Sequence, residues 1–334
     1  ALPTLTNNPN ALFIAQSDAN QIQGSVTNLG LIQVQPGATL YISEQTVASQ
    51  GSTVNTGTIT VGAGALLRMG SFTSTNAATG LIAADHATIT VEGAWKNLGT
   101  ISLTDSHLSL QGTYATADIG TLQRDATSRV GIGGQMNNTG TTFEVTPATG
   151  SFDLESGTIS GGLVHIAAGG RLAGTGVITG DVEAFGTLGI QSQLTIDGDL
   201  TLASSSLLEF DVAFYSFPGA RLTEGGALPL QLDGSLSVDL DPSLAKDLKP
   251  SSTLPILTSN ELLTGEFSNV PSGGRLTTAD GLGSFLVTYS GSDSVVLTDF
   301  HTVPEPHTGT VFLCGALCSL CRFRKRSGLC LGDV

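Results

Sequence analysis

Apolar and polar residues alternate along this chain in short runs, as in Ile59-Thr60-Val61, Ile89-Thr90-Val91 and Leu108-Ser109-Leu110. A period of two predicts β-strands with one face buried, and the outward positions are mostly Thr, whose branched side chain suits a pleated surface. The runs share a lead-in. NLGLIQV begins at Asn28, NTGTITV at Asn55, NLGTISL at Asn97 and NTGTTFEV at Asn138, while the weaker copies ATGLIAA, ESGTISG and GTGVITG surround Gly80, Gly157 and Gly176. Spacings between the glycines at 30, 57, 80, 99, 140, 157 and 176 are 27, 23, 19, 41, 17 and 19, with 41 read as two units. The period is loosely about 20, in the range of solenoid repeats.

One strand of this length cannot bury its apolar face alone. If each unit makes one coil, strands stack in parallel ladders about 4.8 Å apart and Ile, Val and Leu pile into a continuous interior column. The predicted fold is therefore all-β, a parallel, right-handed β-helix solenoid over residues 1–215. An antiparallel sandwich or meander competes, because alternation does not fix strand direction. Asn before Gly is expected at the corner, since both tolerate left-handed backbone and the Asn amide can bond neighbouring peptide groups. After Tyr215 the rhythm changes, with Pro229, Pro242, Pro250, Pro255 and Pro271, a short helix in SLAKDLK, and strands at LPLQL, GSLSVDL, TLPILT, SFLVTYS and SVVLTDF. Residues 216–300 read as a smaller β-rich cap over an end whose unpaired edges would otherwise invite aggregation.

Residues 301–334 differ in kind. Val303-Pro304-Glu305-Pro306 precedes 15 residues without a formal charge, His307 to Cys321, and then the basic cluster Arg322, Arg324, Lys325 and Arg326. As a helix that stretch spans roughly 22 Å, short of the roughly 30 Å hydrocarbon core, which suits transient retention. Basic side chains at its end can snorkel and fix the body on the outer side of the membrane. The N-terminus, ALPTLTNN, lacks Met and an apolar signal stretch, so the chain reads either as a processed form from which an export signal has been removed or as a fragment.

Two resemblances follow from these residues. Gly170 to Val212 is similar to the last coils of autotransporter-type passenger domains, through Gly174-Thr175-Gly176, Gly180-Asp181-Val182, Gly186-Thr187-Leu188, a turn at GIQSQ, and Leu194-Thr195-Ile196-Asp197-Gly198-Asp199-Leu200. The tail resembles the PEP-CTERM sorting signal of Gram-negative bacteria, with Pro304, Glu305 and Pro306 as its motif. That resemblance implies processing by an exosortase-type membrane protease, transient attachment to the inner membrane, and delivery to the cell surface or extracellular matrix.

Charge narrows the partners. Up to Phe300 the chain carries 9 Lys or Arg against 26 Asp or Glu, and the last 34 residues carry 4 against 2. So acidic a body repels nucleic acid and anionic headgroups. All four Cys lie beyond Val311, and the spacing Cys314-x3-Cys318-x2-Cys321 matches an iron–sulfur pattern, but its apolar setting at the end of a β protein argues against a cluster. The five His are scattered, without HExxH or an i, i+2 pair, so no metal site is assigned. No nucleotide or hydrolase motif occurs, and no cofactor is expected. The acid pairs Asp153 with Glu155, Asp197 with Asp199, and Asp239 with Asp241 are spaced i, i+2, which places each pair on one strand face. They read as solvated turn acids rather than as an acid and base, so no catalytic residue is assigned. The function expected is a non-enzymatic, exported structural or adhesive protein of the surface or exopolysaccharide matrix. The competing class is a β-helical carbohydrate-active enzyme, a lyase or hydrolase, in which acids and a base would converge on one groove instead of dispersing around the girth.

Overall fold

The computed structural model describes residues 4–18, 20–42, 51–212, 220–290 and 293–303. Its chain coils as a β-solenoid with three faces. Each coil passes through a first strand such as Ser25–Asn28, a second such as Leu31–Val34 and a third such as Thr39–Ile42. Strands of successive coils pair in parallel and in register, as Asn28 with Asn55, Ile32 with Ile59 and Leu40 with Leu67. Parallel pairing settles the strand direction that alternation left open. The inward residues form apolar columns, among them Ile32, Ile59, Ile82 and Ile101, all buried.

The asparagines close the corner between the first and second faces by a different route from the one expected. None of Asn28, Asn55, Asn76 and Asn97 has left-handed backbone. Their side chains point inward as a ladder: Asn7 Nδ2 donates to Asn28 Oδ1 (2.8 Å), Asn28 to Asn55 (2.7 Å), Asn55 to Asn76 (2.8 Å) and Asn76 to Asn97 (2.8 Å). Each Nδ2 also donates to a carbonyl where the next strand begins, as Asn28 to Thr58 O (3.0 Å) and Asn55 to Leu81 O (3.2 Å). The following glycines are required by close approach: a Cβ on Gly57 would lie 2.2 Å from Gly30 O, and one on Gly99 2.2 Å from Gly80 O. Only Gly140 of the four clearest repeats has the positive φ that the expectation named.

Farther along, the first and third faces merge into single long strands, Phe152–Ser160, Arg171–Ile178 and Thr187–Ile196, each bending at a register shift or between two partners. GIQSQ, expected as a turn, lies inside the last of these strands. Parallel pairing continues past residue 215, with Leu194 beside Leu222, Glu209 beside Ser237 and Leu222 beside Leu257. Pro242–Ala245 forms the short helix, capped by Asp241, which accepts from Ser243 N at 2.7 Å. The end is closed by antiparallel pairing of Ser294–Thr302 with Leu254–Ser259 and with Gly283–Ser290. Phe285 and Phe300, on the two strands of that hairpin, and Phe267 are buried, and a crossing hairpin covers the edge a solenoid would otherwise present. The predicted C-terminal helix falls outside the described residues.

Candidate functional site

The third face carries most of the charged side chains that sequence spacing had left unconnected. Its register stacks Gly131, Asp153, Ala173, Gly189 and Glu209 in one outward column, and Asp211 beside Asp239 in the next. His107 and Arg129 are paired at the edge of the same face. Small residues at 131, 173 and 189 lower the floor between flanking charges. Two adjoining recesses result, about 330 Å³ beside His107, Arg129, Asp153 and Glu155, and about 130 Å³ beside Arg171, Glu209, Asp211 and Asp239; Gln191 borders both.

Glu155 organises the first recess. Ser156 has φ 63°, and the register slips between Glu155 and Gly157; such a bulge re-aims the side chain beside it. The Glu155 carboxylate lies flat over Gly131, where a Cβ would come within 2.1 Å of its Cδ. It thereby reaches back across two rungs, to His107 Nε2 at 2.8 Å and Ser109 Oγ at 2.7 Å. The hydrogen bond from His107 and then that from Ser109 hold its pKa below the ordinary value, against partial burial. Ser109 donates to the carboxylate and not to the imidazole.

Arginines join the two recesses. Asp153 lies between Arg129 Nε (3.4 Å) and Arg171 NH1 (3.6 Å), and Arg171 NH2 also donates to Glu209 Oε2 at 3.3 Å. Beyond Glu209 the strip is acidic. Asp211 has a raised pKa because of burial, then Glu209 and Asp241. Asp239 is raised by burial and by its hydrogen bond to Asp280, which accepts from Leu240 N (2.5 Å), Leu282 N (2.6 Å) and Thr278 Oγ1 (2.9 Å). Those donors outweigh the burial of Asp280 and lower its pKa.

The three expected acid pairs separate into different roles. Asp153 and Glu155 do share the outward face of one strand. Asp241 turns away from Asp239 to cap the helix. Asp199 is a turn brace, its Oδ1 accepting from Ala227 N (2.8 Å) and Leu228 N (3.1 Å) while its own N donates to Asp181. His107, Arg129, Arg171, Glu209 and Asp211 were not singled out from the sequence. The available signal was parity: each occupies an outward position of an alternating run. Pro304, Glu305, Pro306, the basic cluster Arg322, Arg324, Lys325 and Arg326, and all four cysteines lie outside the described residues.

Among the described residues no group of three or more His, Cys, Asp or Glu is disposed to hold a metal ion, and no helix is long and apolar enough to cross a membrane. No protein-family model and no curated protein matches this chain. It is a β-solenoid with a C-terminal β-region, defined by its own geometry.

Proposed function

We propose that this chain is an exported structural or adhesive protein of the cell surface or exopolysaccharide matrix, and that its third face holds an extended glycan. One observation carries the glycan-holding face: five carboxylates, two arginines, His107 and Gln191 line a single strip running along the coil axis, and its arginines are tied to Asp153 and Glu209 instead of standing apart as a base. Side chains pre-oriented by their neighbours offer donors and acceptors with little further ordering cost. The acidic body favours a neutral or amine-bearing glycan over nucleic acid. In this reading the coiling is right-handed, as parallel crossovers overwhelmingly are, and the later coils are of the autotransporter-passenger type. The tail acts as a PEP-CTERM-like sorting signal, with Pro304, Glu305 and Pro306 presented to an exosortase-type protease and Arg322, Arg324, Lys325 and Arg326 on the cytoplasmic side of the inner membrane.

Calorimetric titration with a panel of matrix polysaccharides tests the groove. Removing the Arg171 guanidinium, which joins both recesses, deletes charge-assisted hydrogen bonds, so Arg171→Ala should weaken binding about tenfold, or ~1.4 kcal/mol. Thr60→Ala on another face should change nothing; equal losses from both, or no binding at all, sink the proposal. Glu305→Ala should leave the chain uncleaved and membrane-held, and unchanged processing counts against the sorting role. A second reading, cleavage of the glycan, is favoured by the convergence of acids on one strip and by the raised pKa values of Asp211 and Asp239, a property of general acids. New reducing ends or unsaturated products that vanish in Asp239→Asn would select it.

A further inference from the structure

The ladder of the second face is interrupted after Arg124. Thr121–Arg124 and Thr142–Val145 belong to successive coils that stay paired on both other faces, through Thr113 with Gln135 and Val130 with Phe152. These two strands nonetheless share no ladder, and each is the outermost strand of its own sheet. Between them lies a cleft of about 410 Å³, walled by Thr121 and Leu122 on one side and Thr142 and Phe143 on the other, with Ile119 and Phe152 beneath.

The sequence explains the interruption. The inward column Val34, Val61, Ala84, Leu103 reaches Arg124 next. Its guanidinium sits 4.6 Å from the Phe152 ring centroid, and Nε and NH1 donate to the carbonyls of Thr149 (2.8 Å) and Ser151 (2.6 Å) on the following coil. What matches two facing unpaired strand edges is an extended backbone that completes both ladders.

The chain carries such a segment beyond the described residues. Thr308-Gly309-Thr310-Val311-Phe312-Leu313 repeats the pattern of Thr56-Gly57-Thr58-Ile59-Thr60-Val61, a lead-in and strand of this same face. It cannot come from the same molecule. Residues 304–309 span at most about 21 Å, whereas the ladder from Gln135 through Thr158, Val177, Thr195, Thr223 and Thr258 to Ser294 has six steps, about 29 Å.

We propose that residues 308–313 of a second copy add as a parallel strand in the cleft between Thr121–Arg124 and Thr142–Val145, with Val311 taking the inward position that Ile59 holds in its own coil and Leu313 displacing the Arg124 guanidinium from the carbonyls of Thr149 and Ser151. The contact joins the tail of one molecule to the flank of the next, so it propagates as an open chain. It concerns full-length molecules whose tail is neither cleaved nor inserted in a membrane, so it is an alternative fate of residues 308–313 to the membrane placement proposed above and does not depend on the ligand of the groove.

Cys314 would then lie beside Thr146, and the first 300 residues contain no cysteine. Full-length Thr146→Cys, or Ala148→Cys should the first fail to fold, is oxidised with copper–phenanthroline alongside Thr104→Cys on a closed rung. The expected result is an intermolecular disulfide from position 146 or 148 to Cys314, identified by mass spectrometry, in at least tenfold greater yield than at 104. Val311→Asp, and competition by a peptide spanning residues 307–313, should both abolish it. Equal yields at the open and closed rungs, disulfides formed only within one molecule, or a yield insensitive to Val311→Asp would overturn the proposal.

Discussion

Asn55→Ala probes the internal ladder where it is deepest. Asn55 is 0% exposed, accepts from Asn28 Nδ2, and donates to both Asn76 Oδ1 and Leu81 O. Truncation leaves Asn28 with its bond to Thr58 O but one amide hydrogen unpaired, and deprives Asn76 Oδ1 of a donor. Each buried group left without a partner costs about 1–3 kcal/mol, so the two together should cost about 2–6 kcal/mol. Urea unfolding followed by circular dichroism measures the total. Hydrogen exchange should place the lost protection in the coils holding Asn28 and Asn76, because solenoid stability is a sum of neighbour terms. Since both residues act in one ladder, Asn55→Ala combined with Asn76→Ala should cost less than the two single losses added, by at least about 0.5 kcal/mol. A single-variant cost below about 1 kcal/mol, or strict additivity, would refute the ladder as a cooperative brace.

Other positions give independent tests. Gly57→Ala drives a Cβ into the Gly30 carbonyl and should cost about 3 kcal/mol or more by forcing coils apart, whereas Gly37→Ala, at φ 73° with open space around it, should cost about 1–2 kcal/mol of backbone strain; thermal melts that rank them oppositely would contradict the close-approach argument. Gly131→Ala should displace the Glu155 carboxylate from His107 and Ser109, returning its lowered pKa toward the ordinary range of about 4.3 in a carboxyl NMR titration, and an unmoved titration would show that Gly131 is not needed for that reach. Because the folded-state pKa of Glu155 is depressed, its contribution to stability is complete above the ordinary carboxylate range and is lost as pH falls through the lowered value. Asp211 and Asp239, with raised pKa values, act in the opposite sense, favouring the fold as pH falls through their raised values and opposing it above them; Asp239→Asn should therefore stabilise the protein at neutral pH, and destabilisation in a melt at pH 7 would contradict the burial and acid crowding that raise Asp239.

Legibility differed between interior and exterior for a physical reason. Alternation around Ile59, Ile89 and Leu108 reports directly which side chains leave water, so strands and their buried faces could be read locally. The 41-residue interval between Gly99 and Gly140 could be divided into two units but not interpreted, because the intervening strand carries Leu122 and Arg124 where its neighbours carry Ile and Val or Leu. Asn7 and Asn76 were invisible as ladder members, having no nearby copy of the full NxG lead-in; their roles depend on which coil lies above and which below. The charged strip was legible only as parity, since spacing within one strand says nothing about how far Glu155 reaches across its neighbours.

By itself the sequence determined a repetitive β chain with an acidic body and a basic, apolar tail, because periodicity and charge are properties of residues in order. Tertiary structure alone decided that strands run parallel, that the corner glycines answer to a neighbouring carbonyl more than to φ, and that His107, Ser109 and Glu155 meet across 48 positions of chain. Contacts between coils depend on stacking register, and a one-residue slip would send each outward side chain to the core. That register is fixed by the whole column of buried residues acting together, so no single stretch of the sequence announces it.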